Sequence, residues 1–170
     1  MRDDLRASRK LHGARHSDSL VALSNLAGVL TAQKRYDEAE PLMQQNLALC
    51  RQVHGSLHPH TLTAISNLVH LFRQMGCTHE AEPLLREESE ISARTLGPRH
   101  PDTLRATESL GSLLTHLGRL PEALAIISRL HGQSHMWTLS LLTKLTSQLY
   151  REGKYAEAEP YARQLVRATR

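Results

Sequence analysis

Aromatic residues are scarce in this chain of 170 residues, where Phe, Trp and Tyr together make up 4%. Aliphatic side chains must therefore supply most of any packed interior. Cysteine is nearly absent as well, since Cys50 and Cys77 are the only two and neither belongs to a CxxC pair. This pattern argues against a disulfide framework and against a thiolate metal site. Reduced thiols suit an intracellular protein, and we expect a cytoplasmic one.

Long runs of one residue class are also missing. No stretch approaches 18 uninterrupted apolar residues, so we expect no membrane partner. No apolar segment follows Met1, as it would in a signal peptide. Lys and Arg are scattered rather than grouped, and the formal net charge is only +4, so nucleic acid is not an expected partner.

What the sequence does contain is an internal repeat. The segment 55–62 (GSLHPHTL) returns 42 residues later at 97–104 (GPRHPDTL), and weaker copies stand at 13–20 and 132–139. A second landmark keeps the same register, as the sequence EAEP beginning at Glu38, Glu80 and Glu157 and the shorter EA at Glu122. Two landmarks that recur in step predict a stacked array of repeats, in which each unit buries its apolar side against its neighbours.

Between the landmarks the apolar residues follow a helical period, as in Leu20, Leu23, Ala27 and Leu30. This period predicts a first helix in each repeat, and the segment after the following turn predicts a second. The expected first helices are 18–33, 60–75, 102–117 and 137–152, and the expected second helices are 36–54, 78–96, 120–131 and 154–169.

Glycine and proline mark the boundaries of these helices. Gly76, Gly118 and Gly153 occupy one register position after the first helix, where a left-handed residue is expected, and Lys34 holds this position in the first repeat at some cost. Pro59 and Pro101 suit the first position of a helix. A third set of prolines is expected within about the first turn of the second helices, where most N–H groups lack a helical acceptor; these are Pro41, Pro83 and Pro160.

The repeats account for the whole chain, which we interpret as one array over 1–170. Residues 1–13 resemble the tail of a preceding second helix, so we expect the array to begin halfway through a repeat. Four repeats follow at about 17–55, 59–97, 101–132 and 136–170. The third is shorter by 7 residues, about two helical turns, within its second helix.

Several of these residues also carry a family resemblance. The segments Asn25–Ala27 and Asn67–Val69, the turn residues Gly153–Tyr155, the EAEP blocks and the GxxHP loops resemble tetratricopeptide repeats of the 42-residue kind found in kinesin light chains and nephrocystin-like proteins. Small residues at 39, 81, 123 and 158 match the family position where the two helices of a repeat pack closely. The third repeat departs from the pattern, with Ser109 in place of Asn. The resemblance implies an all-α, right-handed α-solenoid whose first helices line a concave groove.

Such grooves usually hold a peptide from another protein, so the resemblance implies a non-enzymatic scaffold or adaptor. The residues placed on the groove face by register are predominantly polar, and their arginines outnumber their acids. Donors that face a cleft suit an acidic or polar peptide. The candidate groove residues are Asn67, His70, Arg73, Gln74, Arg105, Glu108, His116, Tyr150 and Arg151.

Three alternatives to a peptide-binding groove stay open. The last helix carries apolar residues that could pair with those of a second copy, which would make the chain a homodimerisation module. The array could instead be the sensor of a larger multidomain regulator. The arginines could be ordinary solvated side chains, and Asn25 and Asn67 could satisfy helix backbone groups between repeats rather than contact a ligand.

Enzymatic and metal-binding functions find no support in the sequence. The motifs GxSxG, Walker A, GxGxxG and HExxH do not occur. Among the eleven histidines, His16, His58, His100 and His135 occupy one position of the repeated loop, which favours a structural role. His58 and His60 have no third ligand at a suitable spacing. We therefore predict no catalytic residue, no metal and no cofactor.

Overall fold

The computed structural model describes residues 16–169, which form eight α-helices in this part of the chain. The helices are α1 Ser17–Ala32, α2 Tyr36–His54, α3 Pro59–Met75, α4 Thr78–Thr95, α5 Pro101–His116, α6 Leu120–His131, α7 Met136–Arg151 and α8 Tyr155–Ala168. All eight begin and end within one residue of the bounds that the hydrophobic period predicts. The expectation for 1–13 lies outside the described residues. No helix of the described part is long and apolar enough to cross a membrane.

The helices divide into two compact units, one that ends at His100 and one that begins at Pro101. In unit 1, α1 packs on α2, α2 on α3, and α3 on α4, and α3 also contacts α1. In unit 2, α5 packs on α6, α6 on α7, and α7 on α8. Each unit is therefore built from neighbouring helices of adjacent repeats, as a stacked array requires.

The interior consists of aliphatic side chains, as the shortage of aromatics demands. Leu23, Ile65 and Leu71 of unit 1 and Leu114, Ile127 and Leu142 of unit 2 are almost wholly buried. The small residues Ala39, Ala81 and Ala123 show no exposed surface, which allows the two helices of each repeat to approach closely.

The turn inside each repeat needs a left-handed residue. Gly76, Gly118 and Gly153 have φ values of 76°, 74° and 74°, and Lys34 takes the same conformation with φ 59°. In the first turn, the amide of Arg35 donates to the carbonyl of Leu30 at 2.9 Å, which closes the end of α1. A side chain in this conformation costs about 1 kcal/mol relative to glycine, as the sequence predicts for Lys34.

The prolines of the second helices lie deeper than predicted. Pro41, Pro83 and Pro160 are each the sixth residue of their helix, in the second turn rather than the first. The first four helical N–H groups have no helical acceptor, but the sixth would have one. Each proline therefore removes one hydrogen bond from its helix, whereas Pro59 and Pro101 begin α3 and α5 as predicted.

The histidines of the repeated loop cap helices. The Nδ1 atoms of His16, His58 and His135 accept hydrogen bonds from the backbone N–H two residues later, at 3.3, 3.1 and 3.3 Å. This satisfies one of the free donors at the start of α1, α3 and α7. A structural role is thus confirmed for three of the four loop histidines.

Two capping histidines also stack on the last residue of the preceding helix. The rings of His54 and His58 lie 4.6 Å apart, and those of His131 and His135 lie 4.4 Å apart. The sequence carries this arrangement as HGxxH, a longer motif than the GxxH that periodicity singles out. His60 joins the first pair, with its ring 5.3 Å from that of His54. Burial, followed by the charges of His58 and His60, lowers the pKa of His54 below its ordinary value.

Candidate functional site

A cavity of unit 1 lies between α1 and α3, next to the turn that follows α1. It encloses about 650 Å³. Its polar lining comes from both helices and from the turn, and three apolar residues complete the wall. The lining residues are Ser24, Asn25, Gly28, Val29, Thr31, Ala32, Lys34, Tyr36, Met43, Asn67, His70 and Gln74. We call this cavity the unit 1 groove.

Three of the candidate residues meet in this groove. Asn67, His70 and Gln74 follow one another on one face of α3, at the spacing of about one helical turn. The Nδ2 atom of Asn67 donates to Ser24 Oγ at 3.2 Å and so joins α3 to α1. His70 and Gln74 are exposed. Asn67 thus links neighbouring repeats through a side chain and lines the groove as well.

Arg73 lies on α3 but outside the lining of the unit 1 groove. Its side chain is exposed, and it forms no ion pair among the described residues. The arginine is therefore available to a ligand that extends beyond the groove along α3.

The candidate charges of unit 2 have partners inside their own unit. Arg105 lies 3.5 Å from Asp102, one turn earlier on α5, and both side chains are more than half exposed. Glu108 Oε1 lies 3.0 Å from His131 Nε2, which comes from the end of α6. The sequence register places these residues on α5 correctly, but it does not reveal their neighbours.

The remaining candidates of unit 2 lie near the ends of their helices. His116 is the exposed last residue of α5. Tyr150 is 65% exposed near the end of α7, and its ring meets that of Tyr155 edge to face at 5.1 Å. The Nε of Arg151 donates to the backbone carbonyl of Ser147 at 3.4 Å. An exposed aromatic pair beside a basic residue is a surface that can contact a protein partner.

Among the lining residues that sequence reasoning missed, two come from the turn after α1. Lys34 and Tyr36 reach the unit 1 groove from the turn between α1 and α2, although register counting on first helices leaves turns out. The sequence did contain a signal for Lys34, because the first repeat has lysine at the left-handed position where the other three repeats have glycine.

A second, smaller cavity of unit 1 lies at the other end of α1. It encloses about 210 Å³ and is bordered by Asn25, Asn46, Cys50, His54 and His60, among others. Burial raises the pKa of the Cys50 thiol above its ordinary value, so this thiol is protonated at neutral pH. Among residues 16–169, no group of three or more His, Cys, Asp or Glu side chains has the arrangement of a metal site.

Comparison with known proteins gives this arrangement a family. The family model described as tetratricopeptide repeat matches residues 18–87 and 61–127, which together span more than half of the chain. The chain belongs to the tetratricopeptide repeat family. The tetratricopeptide fold is typical of protein–protein interaction scaffolds, and modules of this family are typically non-enzymatic.

Solved structures agree with the assignment to tetratricopeptide repeats. The kinesin-light-chain TPR-like repeats of Podosopora anserina align with a TM-score of 0.70 at 23% identity, over 97% of this chain and 82% of that one. BtubC (BKLC) from P. vanneervenii aligns with a TM-score of 0.66 at 18% identity, over 99% of this chain and 70% of that one. These matches confirm the all-α solenoid class of tandem repeats.

A third similar structure is that of a Rap protein complexed with competence and sporulation factor. It aligns with a TM-score of 0.61 at 15% identity, over 97% of this tetratricopeptide chain and 55% of the Rap chain. At these identities the structural matches speak for the fold alone. No curated protein matches the chain in sequence.

Proposed function

We propose that this tetratricopeptide chain is a non-enzymatic, cytoplasmic scaffold that binds a peptide segment of a partner protein in the unit 1 groove. The observation that carries the proposal is the groove itself. It presents amide and hydroxyl groups from α1 and α3 along a cavity of about 650 Å³, within the range of ligand pockets. Asn, Gln, Ser and Thr side chains can hydrogen-bond the backbone of an extended peptide.

The charge of the groove favours an acidic or polar peptide over a basic one. No Asp or Glu occurs among its lining residues, while Lys34 and His70 supply one cation and one titratable group. Arg73 adds an exposed cation further along α3. A basic peptide would find no carboxylate in the groove to pair with its charges.

We also propose that residues 1–170 form one array and that residues of unit 2 contact the partner as well. Tyr150 is the strongest of these because its exposed ring is braced by Tyr155. Arg105 and Glu108 would have to exchange their present contacts with Asp102 and His131 for contacts with the partner. The other members of this set are His116 and Arg151.

Peptide selection tests the groove. A displayed library of random 12-residue peptides would be selected on the wild-type chain, and the winning peptide would be labelled for fluorescence anisotropy. The double variant His70→Ala, Gln74→Ala removes two exposed groove side chains, and we expect at least a tenfold loss of affinity. The matched control is His79→Ala, Gln52→Ala, which removes the same residue types from exposed positions of unit 1 outside both cavities. Equal affinities for the two double variants would refute the proposal.

A second candidate function is self-association through α8. Val166 is 52% exposed, whereas Leu47, at the equivalent position of α2, is 4% exposed because α3 follows it. The acids Glu157 and Glu159 lie in the first half of α8, and the bases Arg163 and Arg167 lie in the second. Two copies of α8 in antiparallel arrangement would therefore bring opposite charges together around the apolar face.

Light scattering after size-exclusion chromatography tests this candidate. A dimer fraction that increases with protein concentration and is lost in Val166→Glu would support self-association. Val53→Glu, at an exposed position of α2, is the control and should leave the dimer intact. A monomer at all concentrations up to the millimolar range would rule it out.

A further inference from the structure

The turn between α1 and α2 contains the one described non-glycine residue with a positive φ, Lys34. The same turn recurs three times with glycine in this place, at Gly76, Gly118 and Gly153. Its hydrogen bonds are the same in each repeat: the amide after the left-handed residue donates to a carbonyl five residues back, at 2.8 to 2.9 Å. The turn itself therefore gains nothing from lysine, and a lysine here is a strained choice.

The presence of lysine at this left-handed position is explained by its side chain rather than by the backbone. Lys34 is exposed and lines the unit 1 groove together with Asn67, His70 and Gln74. It is the only Lys or Arg among the groove-lining residues. Strained backbone positions cluster at ligand-binding and active sites, and Lys34 borders a cavity.

Nothing within the described part of the chain neutralises this ammonium group. Lys34 forms no ion pair there, and no carboxylate lines the groove. The adjacent Arg35 behaves differently, because its guanidinium lies 2.6 Å from Glu38 on α2. Of the two neighbouring cations in this turn, Arg35 is paired, whereas Lys34 borders the groove and forms no ion pair among the described residues.

We propose that Lys34 is the specificity-determining residue of the unit 1 groove and binds a carboxylate of the peptide, at the end of the groove next to the α1–α2 turn. The inference rests on the proposed peptide-binding function and adds to it the chemistry of one ligand residue. The carboxylate belongs either to an internal Glu or Asp side chain or to the C-terminus of the peptide. A single charge-assisted contact at a partly exposed site corresponds to an affinity difference of about 3- to 10-fold.

Two substitutions separate the charge from the strain. Lys34→Gly removes the ammonium group and supplies the glycine of the other repeats, whereas Lys34→Gln removes the charge but keeps a side chain in the left-handed conformation. The exposed Lys144→Gln on α7 is the control for loss of one positive charge elsewhere. The probe is the peptide selected on the wild-type chain, together with versions in which each Glu or Asp is replaced by the amide and one with an amidated C-terminus.

The expected pattern is specific. Lys34→Gly and Lys34→Gln should both weaken binding of the parent peptide by about 3- to 10-fold, and one amide version of the peptide should lose affinity for the wild type by the same factor. That peptide should no longer distinguish wild type from either variant, and the position of the amide identifies the source of the carboxylate. Lys34→Gly should raise the melting temperature by about 2–4 °C, so its weaker binding would not be a folding defect. Lys144→Gln should bind as the wild type does.

The outcomes distinguish this inference from the function on which it rests. If His70→Ala, Gln74→Ala loses binding while both Lys34 variants bind all versions of the peptide as the wild type does, the groove binds peptides but Lys34 does not read a carboxylate. If the groove variants and the Lys34 variants all bind normally, or if no peptide is selected, both the proposed function and this inference fail.

Discussion

Gly111 on α5 provides the sharpest test of how closely the helices of a repeat are packed. A Cβ atom at this position would lie 2.5 Å from Cδ1 and 2.8 Å from Cγ1 of Ile127 on α6. Contacts below 3.0 Å do not occur without a shift of one partner, and Ile127 is fully buried and branched at Cβ. We therefore predict that Gly111→Ala destabilises the chain although alanine is the better helix former.

Gly28 on α1 is the matched control. It is also a glycine inside a first helix, and a Cβ atom there would meet nothing within 4 Å. Gly28→Ala should stabilise the chain by about 0.5–1 kcal/mol, since only the helix propensity changes. The same gain applies at Gly111, where it is opposed by an overpacking cost of about 1–3 kcal/mol. The difference in unfolding free energy between the two variants should thus be about 1–3 kcal/mol, with Gly111→Ala the less stable.

Urea unfolding followed by far-ultraviolet circular dichroism measures this difference. Ile127→Val removes Cδ1, the atom nearest to the new methyl group, and should recover part of the loss when combined with Gly111→Ala. By itself Ile127→Val should cost about 0.5–1.5 kcal/mol, so the two effects are expected to be non-additive. If Gly111→Ala proved as stable as Gly28→Ala, the conclusion that α5 and α6 are too close at Gly111 to accept a methyl group would be refuted.

Two further predictions concern the loops between repeats. Thr61 Oγ1 donates to the Gly55 carbonyl at 2.7 Å and is fully buried, whereas the buried Oγ1 of Thr103, at the equivalent position, has no hydrogen-bond partner among residues 16–169. Thr61→Val should therefore cost about 1–3 kcal/mol, and Thr103→Val should be neutral or stabilising in urea unfolding; equal costs would contradict this. Burial, followed by the charges of His58 and His60, lowers the pKa of His54, so the folded chain binds that proton less readily than the unfolded chain does. The contribution of His54 to stability is therefore fully present above the ordinary histidine pKa and is lost as the pH falls through the lowered pKa. His54→Leu, which copies Leu96 of the next loop, should reduce the fall in melting temperature between pH 7.5 and 5.5, and an unchanged fall would show that His54 does not cause it.

The candidate site was only partly predictable from sequence. Register counting placed His70 and Gln74 on one face of α3, and in the structure both border the same cavity as Asn67. The same counting could not show that Glu108 faces His131, because the two lie 23 residues apart on different helices. It also left Lys34 out of the site, since a turn residue has no place in a helical register.

The sequence by itself determined the helix bounds and the turns. These depend on hydrogen bonds between residues four or five apart, on the helical spacing of apolar side chains and on the conformations that glycine and proline allow, all of which are local. Only the tertiary structure decided which side chains meet: the approach of Gly111 to Ile127, the stacking of His54 on His58 and the cavity that joins Lys34 to α3. Such contacts depend on how whole helices pack against each other, and residues far apart in sequence set that packing together.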